Sequence, residues 1–151
     1  MNREKFAARS LAFMLLSAAS VIATGATAAD MVIYKNPYCQ CCEAWARALA
    51  TSGIALRIEN VEDMDALKAE YKVPDDAQSC HTAVADGYVF EGHVPLAAVR
   101  RVLDEQPDII GVAVPGMPSG SLGMGEDPSG SYDVVGLNRD GSQSVYMEIR
   151  P

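Results

Sequence analysis

The sequence predicts an α/β fold, and three observations predict it. Short apolar runs alternate with amphipathic segments from Met31 onward. Gly or Pro closes each amphipathic stretch, at Gly53, Pro74 and Pro107. An Asp86-Gly87 pair sits between two apolar runs, where a tight hairpin is expected.

In order, Met31 to Tyr34 shows no polar alternation, which suits a central strand covered on both faces. Cys41, Trp45, Ala48 and Leu49 then fall on one helical face, and Gly53 ends that helix. From Ile54 to Asn60, Leu56 and Ile58 alternate with Arg57 and Glu59, as in a strand near a sheet edge. Met64, Leu67 and Tyr71 form a short second helix, closed before Pro74. Thr82 to Ala85 and Tyr88 to Phe90 make the hairpin. Pro95 opens a third helix with Leu96, Val99 and Leu103 inward. This order is that of a thioredoxin-like core (βαβαββα) over residues 31–107. A Gly/Pro/Met loop follows over 111–130, with six glycines and three prolines, and loops of that length are usually functional or disordered. An added C-terminal β-hairpin is expected over 132–149, around Asp140-Gly141, with Val145, Met147 and Ile149 alternating.

Residues 1–28 read as a signal peptide. Arg3, Lys5 and Arg9 precede an apolar run from Leu11 to Ala23, and Ala26-Thr27-Ala28 fits a small-residue cleavage site. The run is too short and alanine-rich for a span, which needs about 20 apolar residues. No stable membrane span is therefore expected after cleavage, and 29–151 forms one domain in an oxidising compartment. Loss of those three basic residues and of Glu4 takes the net charge from -8 to -10. An acidic chain disfavours nucleic acid as a partner and concentrates cations at its surface.

Three of the four cysteines lie in Asn36-Pro37-Tyr38-Cys39-Gln40-Cys41-Cys42, between the first strand and the first helix. At a helix N-terminus the unpaired N–H groups and the dipole favour thiolate, the form that binds soft metal and attacks disulfides. A lone cysteine would be read as core filling; three before a helix point to metal or redox chemistry. The right-handed first unit puts the second strand on one side of the first, so the third takes the other side, antiparallel. Cys80, just before the third strand, then faces Cys39 across one strand spacing of about 5 Å. Glu91-Gly92-His93 reaches the same edge one strand further on.

Thiolates select copper(I), zinc or iron–sulfur clusters. One zinc on four thiolates stays doubly negative, and structural zinc sites favour two paired C-x2-4-C halves, unlike the single Cys80 here. Several bridged copper(I) ions reach neutrality and accommodate adjacent sulfurs such as Cys41 and Cys42. Copper(I), as more than one ion, is thus favoured over zinc. His81 is a further candidate ligand, with a surface or capping role as its alternative; His93 is a supporting or structural residue by the same reading. Met117 and Met124 carry thioethers suited to copper(I), although methionine commonly fills cores. Cys39 and Cys42 also hold C-x-x-C spacing, an attacking and a resolving thiol for redox catalysis, against which the extra Cys41 would scramble pairing.

The phrases Tyr34-Lys35-Asn36-Pro37-Tyr38-Cys39-Gln40-Cys41-Cys42, Ser79-Cys80-His81-Thr82, Glu91-Gly92-His93-Val94-Pro95 and Val114-Pro115-Gly116-Met117-Pro118 together resemble the periplasmic CopG-type copper-resistance family, long catalogued as a metal-binding domain of unknown function. The resemblance covers essentially the whole mature chain. It implies a thioredoxin-like fold, copper held by Cys39, Cys41, Cys42 and Cys80 with His81 beside them, and interconversion of copper oxidation states in detoxification. A periplasmic copper carrier or an electron-transfer partner would follow. Two other functions stand beside it: a thiol-disulfide oxidoreductase without a metal role, and a non-enzymatic copper buffer or chaperone.

Overall fold

The computed structural model describes residues 31–151, so the expected signal segment lies outside the described residues. The strands are β1 (Met31–Lys35), β2 (Leu56–Asn60), β3 (His81–Ala85), β4 (Tyr88–Glu91), β5 (Gly111–Ala113), β6 (Tyr132–Leu137) and β7 (Gln143–Ile149). Three helices, α1 (Gln40–Thr51), α2 (Met64–Glu70) and α3 (Leu96–Glu105), and a 3-10 turn at Asp75–Ala77 connect them. One mixed sheet forms in the order β2-β1-β3-β4-β5-β6-β7. The expected element order is present, β2 is an edge strand, and β3 runs antiparallel to β1 with Lys35 opposite His81.

Alternation along the strands feeds two cores. Ile33, Phe90 and Val112 pack with Trp45 and Leu49 of α1 and Val99 and Val102 of α3. Val89 and Ala113 turn the other way, onto Val73, Ala77 and Leu137. Burying a side chain of this size stabilises by about 1.5–3 kcal/mol, so both faces of the sheet contribute. At the Asp86-Gly87 turn both central residues have positive φ, 50° and 79°, which matches the right-handed twist of the flanking strands.

Five details differ from the sequence reading. The loop expected from Gly111 begins with β5, parallel to β4; at Gly111 an added Cβ would lie 1.9 Å from the Val89 carbonyl oxygen, so glycine is what permits the pairing. The buried face of α1 is Cys42, Trp45, Ala46 and Leu49, with Cys41 and Ala48 only half-buried, so the inward stripe keeps Trp45 and Leu49 but turns toward Cys42 and Ala46. In α3 the buried residues are Ala98, Val99 and Val102, while Leu96 and Leu103 are partly buried. In α2 the buried side chain is Lys68, whereas Met64, Leu67 and Tyr71 are half-exposed. Val145 is exposed: Val134 pairs with Met147 but Val135 with Val145, so a bulge at Tyr146 breaks the alternation.

Candidate metal centre

The loop after β1 is built to deliver sulfur to a helix start. Lys35, buried, donates from Nζ to the carbonyls of Asn36 (3.2 Å) and Pro37 (3.3 Å) and pairs with Glu43 (3.2 Å). Asn36 Oδ1 accepts the Tyr38 N–H at 3.0 Å, closing the turn. Cys39 Sγ then caps α1 by accepting the Cys42 N–H at 3.3 Å. Sulfur thus satisfies one of the helix's unpaired donors.

Cys39 and Cys42 form a disulfide, and Cys41 and Cys80 are free thiols. The four sulfurs all lie within 4.8 Å of one another. Cys80 converges as its strand order requires, its sulfur within 4.8 Å of that of Cys39 and 3.9 Å from that of Cys41. Cys41 is also 3.5 Å from Cys39. A metal–sulfur bond of about 2.3 Å gives a tetrahedral edge of roughly 3.8 Å, so these separations and this soft donor set fit a thiolate-bound ion.

The two histidines flank Cys80 unequally. His93 Nε2 lies 2.9 Å from Cys80 Sγ, closer than its place one strand further along suggests. Gly92, at φ 71°, makes the turn that brings it there; an added Cβ would lie 2.3 Å from Ser79 Oγ. His93 Nδ1 is 2.8 Å from the Leu122 carbonyl, which can only accept, so Nδ1 carries the proton and Nε2 offers its lone pair to the Cys80 thiol. His81 Nδ1 is 3.7 Å from Cys80 Sγ. Its ring lies 4.5 Å from Trp45 and 5.1 Å from His93, and its buried Nε2 has no hydrogen-bond partner. Cys80, His81 and His93 also satisfy metal-ligand spacing as a group.

Burial keeps this cluster neutral. Desolvation, then the Cys41 charge and hydrogen bond, push the Cys80 thiol up to about 12. Desolvation, then repulsion from His93 and Lys68, bring His81 down to about 3, and burial lowers His93 against the Leu122 hydrogen bond. Binding metal here must therefore displace a proton from Cys80.

The Gly/Pro/Met segment after β5 closes over the site. Gly116 N donates to the Gln78 carbonyl at 3.0 Å, and Ser79 Oγ donates to the Gly116 carbonyl. Gly123, at φ 90°, lies against α1: an added Cβ would be 2.8 Å from Trp45 N and 3.0 Å from the Cys41 carbonyl oxygen. Met117 is exposed and Met124 half-buried. Gly123→Ala is expected to lift the segment, break the His93–Leu122 bond and cost about 1–3 kcal/mol. Alkylation of Cys41 and Cys80 should then be faster, as read by peptide mass spectrometry.

Missed by sequence reasoning is the buried polar group beneath Cys80. Glu91, fully buried, pairs with Lys68 and accepts from Ser79 N (2.7 Å) and Thr82 Oγ1 (2.6 Å). A glutamate at the end of a strand of otherwise apolar residues was its available signal.

A solved structure described as "Copper resistance protein copG- Form 1" is 39% identical, with 82% of this chain and 99% of that one aligned and a TM-score of 0.76. The chain belongs to the CopG copper-resistance family. "Form 2" of the same protein agrees, at 40% identity, 81% and 98% coverage and a TM-score of 0.74. The family model described as "Protein of unknown function, DUF411" matches residues 77–124, a span holding Cys80, both histidines and Met117 and Met124 but not the Cys39–Cys42 loop. Among curated proteins, no relative matches. Family membership and the cysteine cluster give the chain a copper-related role. Among the described residues, no helix is long and apolar enough to cross a membrane.

Proposed function

We propose that this is a periplasmic copper-tolerance protein that binds copper(I) through the thiolates of Cys39, Cys41, Cys42 and Cys80 once its disulfide is reduced. The observation that carries this is the convergence within 4.8 Å of four sulfurs, three from the cap and first turn of α1 and one from the residue before β3. With Cys39 and Cys42 paired, only two thiols face the site; reduction consumes two electrons and two protons and restores four. Four thiolates suit several bridged copper(I) ions, and His93 or His81 can add nitrogen. In the reverse direction, closure of the disulfide releases two electrons and two protons, enough to reduce two copper(II) to copper(I). An interconversion of oxidation states with an electron-transfer partner is supported by that stoichiometry. The disulfide itself agrees with an oxidising compartment.

The test is a copper(I) titration of reduced and of air-oxidised protein. Reduced protein is expected to saturate above one ion per chain and oxidised protein to bind poorly until reduced. Saturation at one ion would count against a bridged multi-copper cluster, and equal affinity in both states would remove thiolate ligation. The Cys39–Cys42 disulfide also favours a second reading, thiol-disulfide exchange without metal; insulin reduction by metal-free protein distinguishes it, since a dithiol catalyst turns over without copper.

A further inference from the structure

We infer that Lys68 and Glu91 are positioning residues for Cys80, an inference that rests on the copper reading above. The pair is almost wholly enclosed, at 3% and 0% exposure, on elements 23 residues apart. Stability alone gives little reason for it, because a well-packed apolar replacement of a buried ion pair is often neutral or better. The carboxylate has a second task. One oxygen, Oε1, accepts from both Lys68 Nζ and the Ser79 N–H, and the other accepts from the Thr82 hydroxyl. Lys68 Nζ also donates to Thr82 Oγ1 at 3.3 Å. One side chain therefore holds the residue before Cys80 and the residue after His81. The Ser79 hydroxyl on the Gly116 carbonyl fixes the same turn from outside.

Charge explains why the acceptor is paired. A carboxylate is a stronger acceptor for a backbone N–H than a neutral oxygen. Left alone, it would add a buried negative charge beneath a site that gathers thiolates. Lys68 cancels that charge, so the turn is clamped without opposing deprotonation of the sulfurs. Residues that orient metal ligands in this way commonly change affinity about 10- to 100-fold when replaced.

Two double variants of the full chain separate positioning from mere stability. Lys68→Met/Glu91→Gln keeps an amide oxygen for Ser79 N without charge; Lys68→Met/Glu91→Leu keeps the volume and loses the acceptor. On metal-free, disulfide-intact protein, the readout is the rate of Cys80 alkylation by iodoacetamide. On reduced protein, it is copper(I) affinity by chelator competition and the thiolate-to-copper charge-transfer spectrum. The leucine variant is expected to alkylate faster at Cys80, to bind copper(I) about 10- to 100-fold more weakly and to show an altered spectrum. The glutamine variant should stay close to the parent. Parent-like behaviour of both, or equal loss in both, overturns the inference. Should the leucine variant not fold, Lys68→Met/Glu91→Met takes its place under the same criteria. If the reduced parent itself binds no copper(I), the copper reading falls, while the alkylation comparison still decides the positioning.

Discussion

Reduced Cys80→Ser protein is expected to bind fewer copper ions than the parent, with copper(I) affinity lowered by more than the roughly 10- to 100-fold that loss of a supporting residue costs. Cys80 is the one cysteine that comes from outside the Cys39–Cys42 segment, and it stands 3.9 Å from Cys41 and 2.9 Å from His93. A hydroxyl is a hard donor that copper(I) disfavours, so the bridging position is lost. Folding should be nearly intact. The serine hydroxyl can still donate to His93 Nε2, and the half-buried position leaves no unmade hydrogen bond in an apolar site. Copper stoichiometry and the thermal midpoint of metal-free protein, measured on the same variant, decide the matter. A parental stoichiometry with a lowered midpoint would make Cys80 an ordinary buried cysteine and sink the four-sulfur site.

That Cys80 could be placed beforehand shows which parts of this fold a sequence carries. Chirality of the first βαβ unit leaves the third strand one side on which to pair, and an antiparallel partner there must begin beside the end of β1. The register of Lys35 against His81 realises that argument. What escaped has local causes. Three residues, Gly111 to Ala113, are too few to show a period inside a Gly- and Pro-rich stretch, yet parallel pairing to β4 makes them a strand. A single bulge at Tyr146 reversed the face assigned to Val145, since side chains alternate with a period of two. Trp45 and Leu49 belong equally to a face with Cys41 and Ala48 and to one with Cys42 and Ala46, and choosing the first hid Cys42 as the helix's first buried residue. His93 was placed one strand away because the left-handed turn at Gly92, which swings it back to Cys80, leaves no periodic trace. Lys68 was not singled out, and Glu91 only as part of the Glu91-Gly92-His93 phrase, because nothing in either segment announces a partner 23 residues away.

Lys68→Met alone should be among the most damaging single substitutions in the described domain, costing about 3–5 kcal/mol. Methionine can follow the lysine stem, so packing changes little and the loss is electrostatic. Glu91 stays fully buried, with Ser79 N and Thr82 Oγ1 still donating to it but no cation left beside it. Two neutral donors do not replace a charge in a low-dielectric interior, and an enclosed carboxylate without a counter-ion is strongly destabilising. Against a typical total of about 5–15 kcal/mol, such a loss moves the urea midpoint far down. The same physics requires the second change to repair the first. Adding Glu91→Leu removes the stranded charge, and the double variant should regain most of the lost stability although it has lost one more native group. Chemical denaturation of the single and double variants therefore gives a non-additive pair. Equal midpoints for the parent and Lys68→Met, or a double variant weaker than the single one, would mean that the two charges do not depend on each other inside the fold.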